Sequence, residues 1–321
     1  MNYKPIIVVA GEPYSVFLEI FFKAKKKNNL KKPIILIVSK KLLIQQMKKL
    51  NFYFKINLVD KNNINFSKPN KKEINIIDVN FKFKKTFDKI SNKSNLYIEK
   101  CFEVALKIIS ENKCSGLING PISKKNFLNK SFLGITEYLA NKTNKNNKVS
   151  MLIYNNKLSV CPITTHLPLK KVHRYISKKK IINQVKLIKN FYKNKFKKNP
   201  RIGITGLNPH CESNYKSSEE NKIIKPAIKY LIKKKYMVSG PFAADTIFMK
   251  EQSKKFDVIV GMYHDQVLTP VKTLFGFSSI NITLGLPFIR ISPDHGPNTS
   301  MLGKNQSSPQ SLIEALKFLD N

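Results

Sequence analysis

Short aliphatic runs, each set off from the next by a helix-length stretch, constrain this chain more than any other feature. IIVVA (6–10), IILIV (34–38), INIIDV (74–79), SGLING (115–120), RIGIT (201–205), DVIVGM (257–262) and SINITL (279–284) read as strands. They are apolar nearly throughout rather than alternating, the pattern of strands buried on both faces of a parallel sheet. VSMLIY (149–154) and LSVCPITT (158–165) flank Asn155-Asn156 and read as a hairpin. Helical patterns fill the gaps: a stretch ending near Lys27, KLLIQQMKKL (41–50), 95–111, roughly 168–195, 219–235 and 308–319. In 95–111, Leu96, Cys101, Phe102, Ala105, Leu106 and Ile109 fall near helical spacing. Strands separated by helices give the α/β class, with helices on both sheet faces.

A length of 321 residues suits one large α/β domain or two lobes, and 42% apolar residues are enough for a sizeable core, which excludes disorder of the whole chain. No internal repeat is present. Lys/Asn clusters, including residues 60–73, read as exposed loops, and the Gly/Pro turns near 120 and 285 are the best boundaries. The expected division is therefore 1–120 with 285–321 as one lobe and 121–284 as the other, the second carrying the candidate metal ligands and the dimer interface. The longest aliphatic run, 33–38, is too short to cross a bilayer, and the N-terminal residues lack a signal-peptide pattern. A soluble, cytoplasmic protein with no membrane partner is the expectation. Cys101, Cys114, Cys161 and Cys211 have no CxxC spacing, so neither a zinc knuckle nor a disulfide framework is suggested.

Basic residues number 58 against 20 acidic, a formal net charge of +38. Such a charge attracts polyanions, but the only arginines are Arg174, Arg201 and Arg290. Nucleic-acid interfaces favour arginine for its bidentate fork. The lysine excess travels with Asn and Ile, as in KNNLKK and NKTNKNNK, and these three amino acids share A/T-rich codons. Genome composition is the simpler account, and no specific nucleic-acid partner is expected. A basic nucleic-acid-binding protein stays as a remote alternative.

Three of the five histidines share one context: His166, His210 and His264 each lie just past a strand-like run. Ligands of open α/β sheets bind beside the carboxyl ends of the strands. Three imidazoles with positions left open fit a catalytic metal site, and Asp265 directly after His264 can orient it. Ordinary hydrogen-bonded histidines are the competing reading. Cys211, next to His210, is set aside because its side chain points away from its neighbour's. Thr136 opens a helical stretch, as cap or phosphate ligand, and Asp245-Thr246 reads as a cap. Asn281, Arg290, Asp294 and His295 interrupt an otherwise apolar stretch. Arg290 resists the Lys bias and suits bidentate reading of a carboxylate or phosphate, or a structural ion pair. There is no GxGxxG after the first strand, no P-loop and no Ser–His–Asp elbow.

Eight segments resemble the 4-hydroxythreonine-4-phosphate dehydrogenase family of pyridoxal phosphate biosynthesis, in family order. They are GEP (11–13), INGPISK (118–124), GITEYLA (134–140), TTHLPL (164–169), GLNPH (206–210), GPFAADTIF (240–248), MYHDQ (262–266) and NITLGLPFIRISPDHG (281–296). The resemblance implies two α/β/α lobes like those of isocitrate and isopropylmalate dehydrogenases, not a Rossmann domain. It implies NAD- or NADP-linked oxidation of a phosphorylated hydroxy-amino acid to a β-keto acid that loses CO₂. It implies a divalent metal (zinc, magnesium or cobalt) on His166, His210 and His264, and substrate contacts at Thr136, Lys272, Asn281 and Arg290. Asp245 and Asp265 are possible supporting residues. It implies a homodimer with the active site at the interface; the residues that bind the nicotinamide cofactor are not assigned.

The chain departs from the family where Ile135 replaces a histidine before Thr136, where Tyr14-Ser15-Val16-Phe17 replaces a glycine-rich loop, and after His210 and Gly296. These departures leave open a relative acting on another four-carbon phosphorylated hydroxy acid, such as a phosphothreonate.

Overall fold

The computed structural model describes residues 4–27, 29–62, 64, 72–128, 132, 134–146, 148–211, 216–293 and 295–321. The chain divides into two compact units, Met1–Asn147 with Leu286–Asn321, and Lys148–Gly285. Asp294 and residues 63 and 65–71 of the expected exposed loop lie outside the described residues.

Unit 1 begins with β1 (Ile6–Val9), α1 (Phe17–Lys27), β2 (Ile34–Val38), α2 (Lys40–Lys49), β3 (Lys55–Leu58), β4 (Glu73–Asp78), α3 (Asn95–Ser110), β5 (Gly116–Asn119) and α4 (Ile135–Lys142). Unit 2 follows with β6 (Ser150–Tyr154), β7 (Ser159–Thr164), α5 (Val172–Tyr175), α6 (Lys178–Phe196), β8 (Ile202–Thr205), α7 (Lys225–Lys233), β9 (Val238–Phe242), α8 (Lys250–Ser253), β10 (Val258–Tyr263), α9 (His264–Phe275) and β11 (Ile280–Leu284). The chain then returns to unit 1 as β12 (Arg290–Pro293) and α10 (Gln310–Asp320).

In unit 1 the strand order is β3-β4-β2-β1-β5-β12, parallel throughout. Every residue of β1 is fully buried. Ile7, Val9, Ile35, Ile37 and Leu117 face a cluster with Ile98, Cys101, Phe102 and Ala105 of α3. The intervening residues face the other way, where Leu319 of α10 lies over Gly116. This burial on both faces is why the strands are aliphatic at every position. Each fully buried Ile, Val or Leu contributes roughly 1.5–3 kcal/mol against the entropy of ordering the chain.

Unit 2 has the order β11-β6-β7-β10-β8-β9. β11, β6 and β7 pair antiparallel, the last two forming the expected hairpin across Asn155-Asn156. β7, β10, β8 and β9 run parallel. Val160 and Ile259 pack on Val267, Leu268 and Val271 of α9. Cys161 points to the opposite face, where its sulfur meets the Gln184 side chain of α6. Both units are therefore α/β with helices on the two sheet faces.

The unit boundary expected near 120 is corrected. Gly120-Pro121 is the place where the ends of β1 and β5 touch: a Cβ on Gly120 would sit 2.2 Å from the Ala10 carbonyl oxygen. Its glycine serves a close approach inside unit 1, and the crossing falls instead at Asn147–Lys148, within a polar cluster read as a surface loop. Among the described residues no helix is long and apolar enough to cross a membrane.

Candidate active site

The topology of unit 2 gathers the three histidines. β7, β10 and β8 are consecutive and parallel, so their carboxyl ends share one sheet edge. His166 comes two residues after β7, His264 immediately after β10, and His210 five residues after β8. Asp245 follows β9, the next strand in the same order, and is exposed. His166 and His264 lie side by side, ring centres 5.9 Å apart at 35°. An ion held at about 2.1 Å by one nitrogen of each ring leaves the ring centres on the order of 5–6 Å apart. His264 Nδ1 donates to Asp265 Oδ1 at 2.6 Å. A carboxylate only accepts, so the proton is on Nδ1 and Nε2 keeps its lone pair. That is the tautomer a metal ligand needs.

His210 does not complete the group: among the described residues no three His, Cys, Asp or Glu side chains stand together as ion ligands. His210 has φ 58° and Cys211 φ 57°, two successive left-handed residues. Cys211 is buried beneath this turn, against Gly206, where a Cβ would come within 2.6 Å of its sulfur. The turn is built by the protein, whereas the final convergence of imidazoles is the part that ion binding drives. The donor set fits a divalent ion: two adjacent neutral imidazoles, one already oriented, and a third on the neighbouring strand end.

Glu220, buried at 1% exposure, holds the turn ahead of His210. Its Oε1 accepts from Leu207 N at 2.8 Å and Asn208 N at 2.9 Å, and its Oε2 from Asn208 Nδ2 at 2.8 Å. Burial pushes this carboxyl upward, but these donors outweigh it and hold it below its ordinary value. Lys272, on α9, is exposed. Asn281, on β11, has a buried carboxamide oxygen that lacks a partner among the described residues.

Unit 1 has its own polar cluster at the carboxyl edge of its sheet. Arg290 is 1% exposed at the start of β12. Its Nε donates to Asn119 Oδ1 at 2.7 Å and its Nη1 to Thr136 Oγ1 at 3.4 Å. Asn119 is itself oriented by donating Nδ2 to Gly120 O at 2.8 Å. Burial pulls the guanidinium down to about 10, opposed in part by Glu137, so it stays charged at neutral pH. α4 has Gly134 as its N-cap with no side-chain bond, so Thr136 is not a cap. The cap expected at Asp245-Thr246 is also corrected: Thr246 Oγ1 bonds Ala243 O, and the next helix starts only at Lys250.

Glu12 was not singled out by the sequence beyond its GEP motif. It is 2% exposed, and only Oε1 has a partner, Ser94 Oγ at 3.0 Å. Burial raises its pKa to about 7, against lowering hydrogen bonds from Ser94 and the Tyr14 backbone. The folded state therefore keeps this proton where the unfolded chain has lost it. Stability drawn from the neutral form is full below the unfolded value, near 4.5, falls between about 4.5 and 7, and is level above. Glu12→Gln should raise the melting temperature relative to wild type at pH 8, with the gain vanishing towards pH 4.5. The ceiling is roughly 3 kcal/mol. Thermal melts of both proteins across that range check it.

A family model described as "Pyridoxal phosphate biosynthetic protein PdxA" matches residues 29–319. This chain belongs to the PdxA family. A 4-hydroxythreonine-4-phosphate dehydrogenase of Sulfurihydrogenibium sp. is 38% identical over 318 residues, covering 98% of this chain and 96% of that one. The crystal structure of 4-hydroxythreonine-4-phosphate dehydrogenase from Klebsiella pneumoniae aligns with a TM-score of 0.87 at 26% identity, over 98% of each chain. A protein of Oceanobacillus iheyensis with the provisional name D-threonate 4-phosphate dehydrogenase is 36% identical over 217 residues, 66% of this chain and 65% of that one.

Membership in the PdxA family puts the chain among pyridoxal phosphate biosynthetic proteins. Within this PdxA chain, Ile135 is partly buried and packs on the cluster that contains Phe102 and Tyr138. The residue that departs from the family pattern thus has a structural use in this chain.

Proposed function

We propose that this chain is a metal-dependent, NAD(P)-linked 4-hydroxythreonine-4-phosphate dehydrogenase. It oxidises 4-phosphooxy-L-threonine to a β-keto acid, which decarboxylates to 3-amino-2-oxopropyl phosphate. The observation that carries this reading is the delivery of His166, His210 and His264 to one edge by three adjacent parallel strands in a PdxA-family chain. A divalent ion there supplies Lewis acidity, lowering the pKa of the substrate hydroxyl and stabilising charge released on loss of CO₂. The nicotinamide cofactor accepts the hydride. Asp265 holds the His264 proton on Nδ1 and so keeps Nε2 available. Substrate contacts are assigned to Thr136 and Arg290 in unit 1 and to Lys272 and Asn281 in unit 2. Arg290 offers a charged fork already aligned by Asn119, which suits a phosphate or carboxylate. Asp245 supports the same edge. The reading includes a cytoplasmic homodimer with its active site at the subunit interface.

Reduction of NAD and NADP by the purified protein, with a panel of phosphorylated hydroxy acids and with or without chelator, tests it. Turnover of 4-phosphooxy-L-threonine that chelator abolishes is expected. No turnover with any metal added would overturn the reading.

A second reading, oxidation of another four-carbon phosphorylated hydroxy acid such as a phosphothreonate, has specific support from Ile135 and from the Oceanobacillus relative. Ile135→His separates the two. A restored polar contact to a charged substrate is worth roughly 1.5–3 kcal/mol, so KM for 4-phosphooxy-L-threonine should fall about tenfold if the pocket is otherwise kept. Stability should drop by about 1 kcal/mol from lost packing. An unchanged or higher KM, with poor wild-type turnover, favours the phosphothreonate reading.

A further inference from the structure

The backbone ladder between β8 and β10 ends at the pair Ile204 and Val260. Beyond it, one side chain keeps the strand ends joined. Gln266, in the first turn of α9, accepts through Oε1 from Met262 N at 2.7 Å and from Thr205 Oγ1 at 2.9 Å. Its Nε2 donates to Gly206 O at 2.8 Å. Across β10, Thr164 Oγ1 donates to Met262 O at 2.8 Å, two residues before His166. The carboxamide thus fixes backbone two residues before His264 and four residues before His210. Glu220 fixes the next two N–H groups, on Leu207 and Asn208, which lead directly to His210.

Only a group with an acceptor and a donor at this reach satisfies both strand ends. A carboxylate would set two acceptors against the Gly206 carbonyl, and an apolar chain would leave buried polar groups on both strands. The absence of a side chain at Gly261 leaves the space: a Cβ there would lie 3.1 Å from Gln266 Oε1. We propose that Gln266 is a positioning residue that sets the separation of His210 from His264 and through it the affinity of unit 2 for a divalent cation. This rests on the three-histidine reading above.

Cobalt(II) titration of the full chain, followed by visible absorption and calorimetry, is the test. Positioning residues around metal ligands typically change affinity about 10–100-fold. Gln266→Met and Gln266→Glu should weaken cobalt binding by that factor and alter the absorption band. Tyr192→Phe, which removes a hydrogen bond to Ser159 Oγ elsewhere in unit 2, should lower the melting temperature but not the affinity. If Gln266→Met does not fold, Gln266→Glu, of the same length and with one acceptor kept, carries the comparison alone. Folded Gln266 variants with wild-type cobalt affinity and spectrum would overturn the proposal. Wild-type protein that binds no cobalt would instead remove the three-histidine reading.

Discussion

His264→Ala abolishes turnover and cobalt binding together, while the protein stays folded. That is the expected result, and its size follows from what the imidazole does. Lewis-acid stabilisation of developing charge is worth several kcal/mol, so its loss costs on the order of a thousandfold or more in kcat. The His264 side chain is 36% exposed, so little packing goes with it. His166→Ala should behave alike, since His166 is exposed beside it. At position 210 the better substitution is Asn: its φ of 58° suits Asn and strains Ala. His173, exposed on the short helix α5, is the control, and His173→Ala should leave kcat and cobalt affinity alone. Steady-state kinetics and cobalt titration on each variant decide the matter. Full activity in any one of the three removes that residue from the metal site.

The sequence carried most of the fold because parallel strands must be apolar on both faces. β1, β2, β4, β5, β8, β10 and β11 are legible as aliphatic runs, and the three histidines stand out by their place after such runs. What was illegible has physical causes. β3 is an edge strand with mostly exposed residues, so KINL carries no burial signal. β9 reads VSGPF and β12 reads RISP, where glycine and proline signal turns. α9 contains Pro270, which breaks the pattern of a helix that the protein nonetheless forms directly after β10. The site residues that act through others were missed for a different reason. Gln266, Glu220 and Asn119 work by meeting particular backbone groups and one guanidinium, and those partners lie far away in sequence. Burial of the polar side chains Glu220 and Asn119 is the signal that finds them, and burial is a property of the fold.

Arg290→Lys should lower kcat/KM by about tenfold or more, chiefly through KM, and the deficit should widen with rising pH. The first part comes from geometry. The guanidinium spends Nε on Asn119 Oδ1 and Nη1 on Thr136 Oγ1, two directions 171 and 154 residues away in sequence. One ammonium cannot keep both and still face an anion, and a charge-assisted hydrogen bond is worth roughly 1.5–3 kcal/mol. The second part comes from burial. At 1% exposure the site already pulls the arginine down to about 10, which leaves it charged across the assay range. A lysine starts from a lower value and is pushed down by the same burial, so it sheds its charge as pH rises. The ratio of wild-type to variant kcat/KM should therefore grow between pH 7 and 9. Asn119→Ala, which keeps the arginine but frees its orientation, should show a smaller loss and no such widening. Kinetics of Arg290→Lys equal to wild type across this range, with only a lowered melting temperature, would make Arg290 a structural residue and leave anion recognition to be found elsewhere.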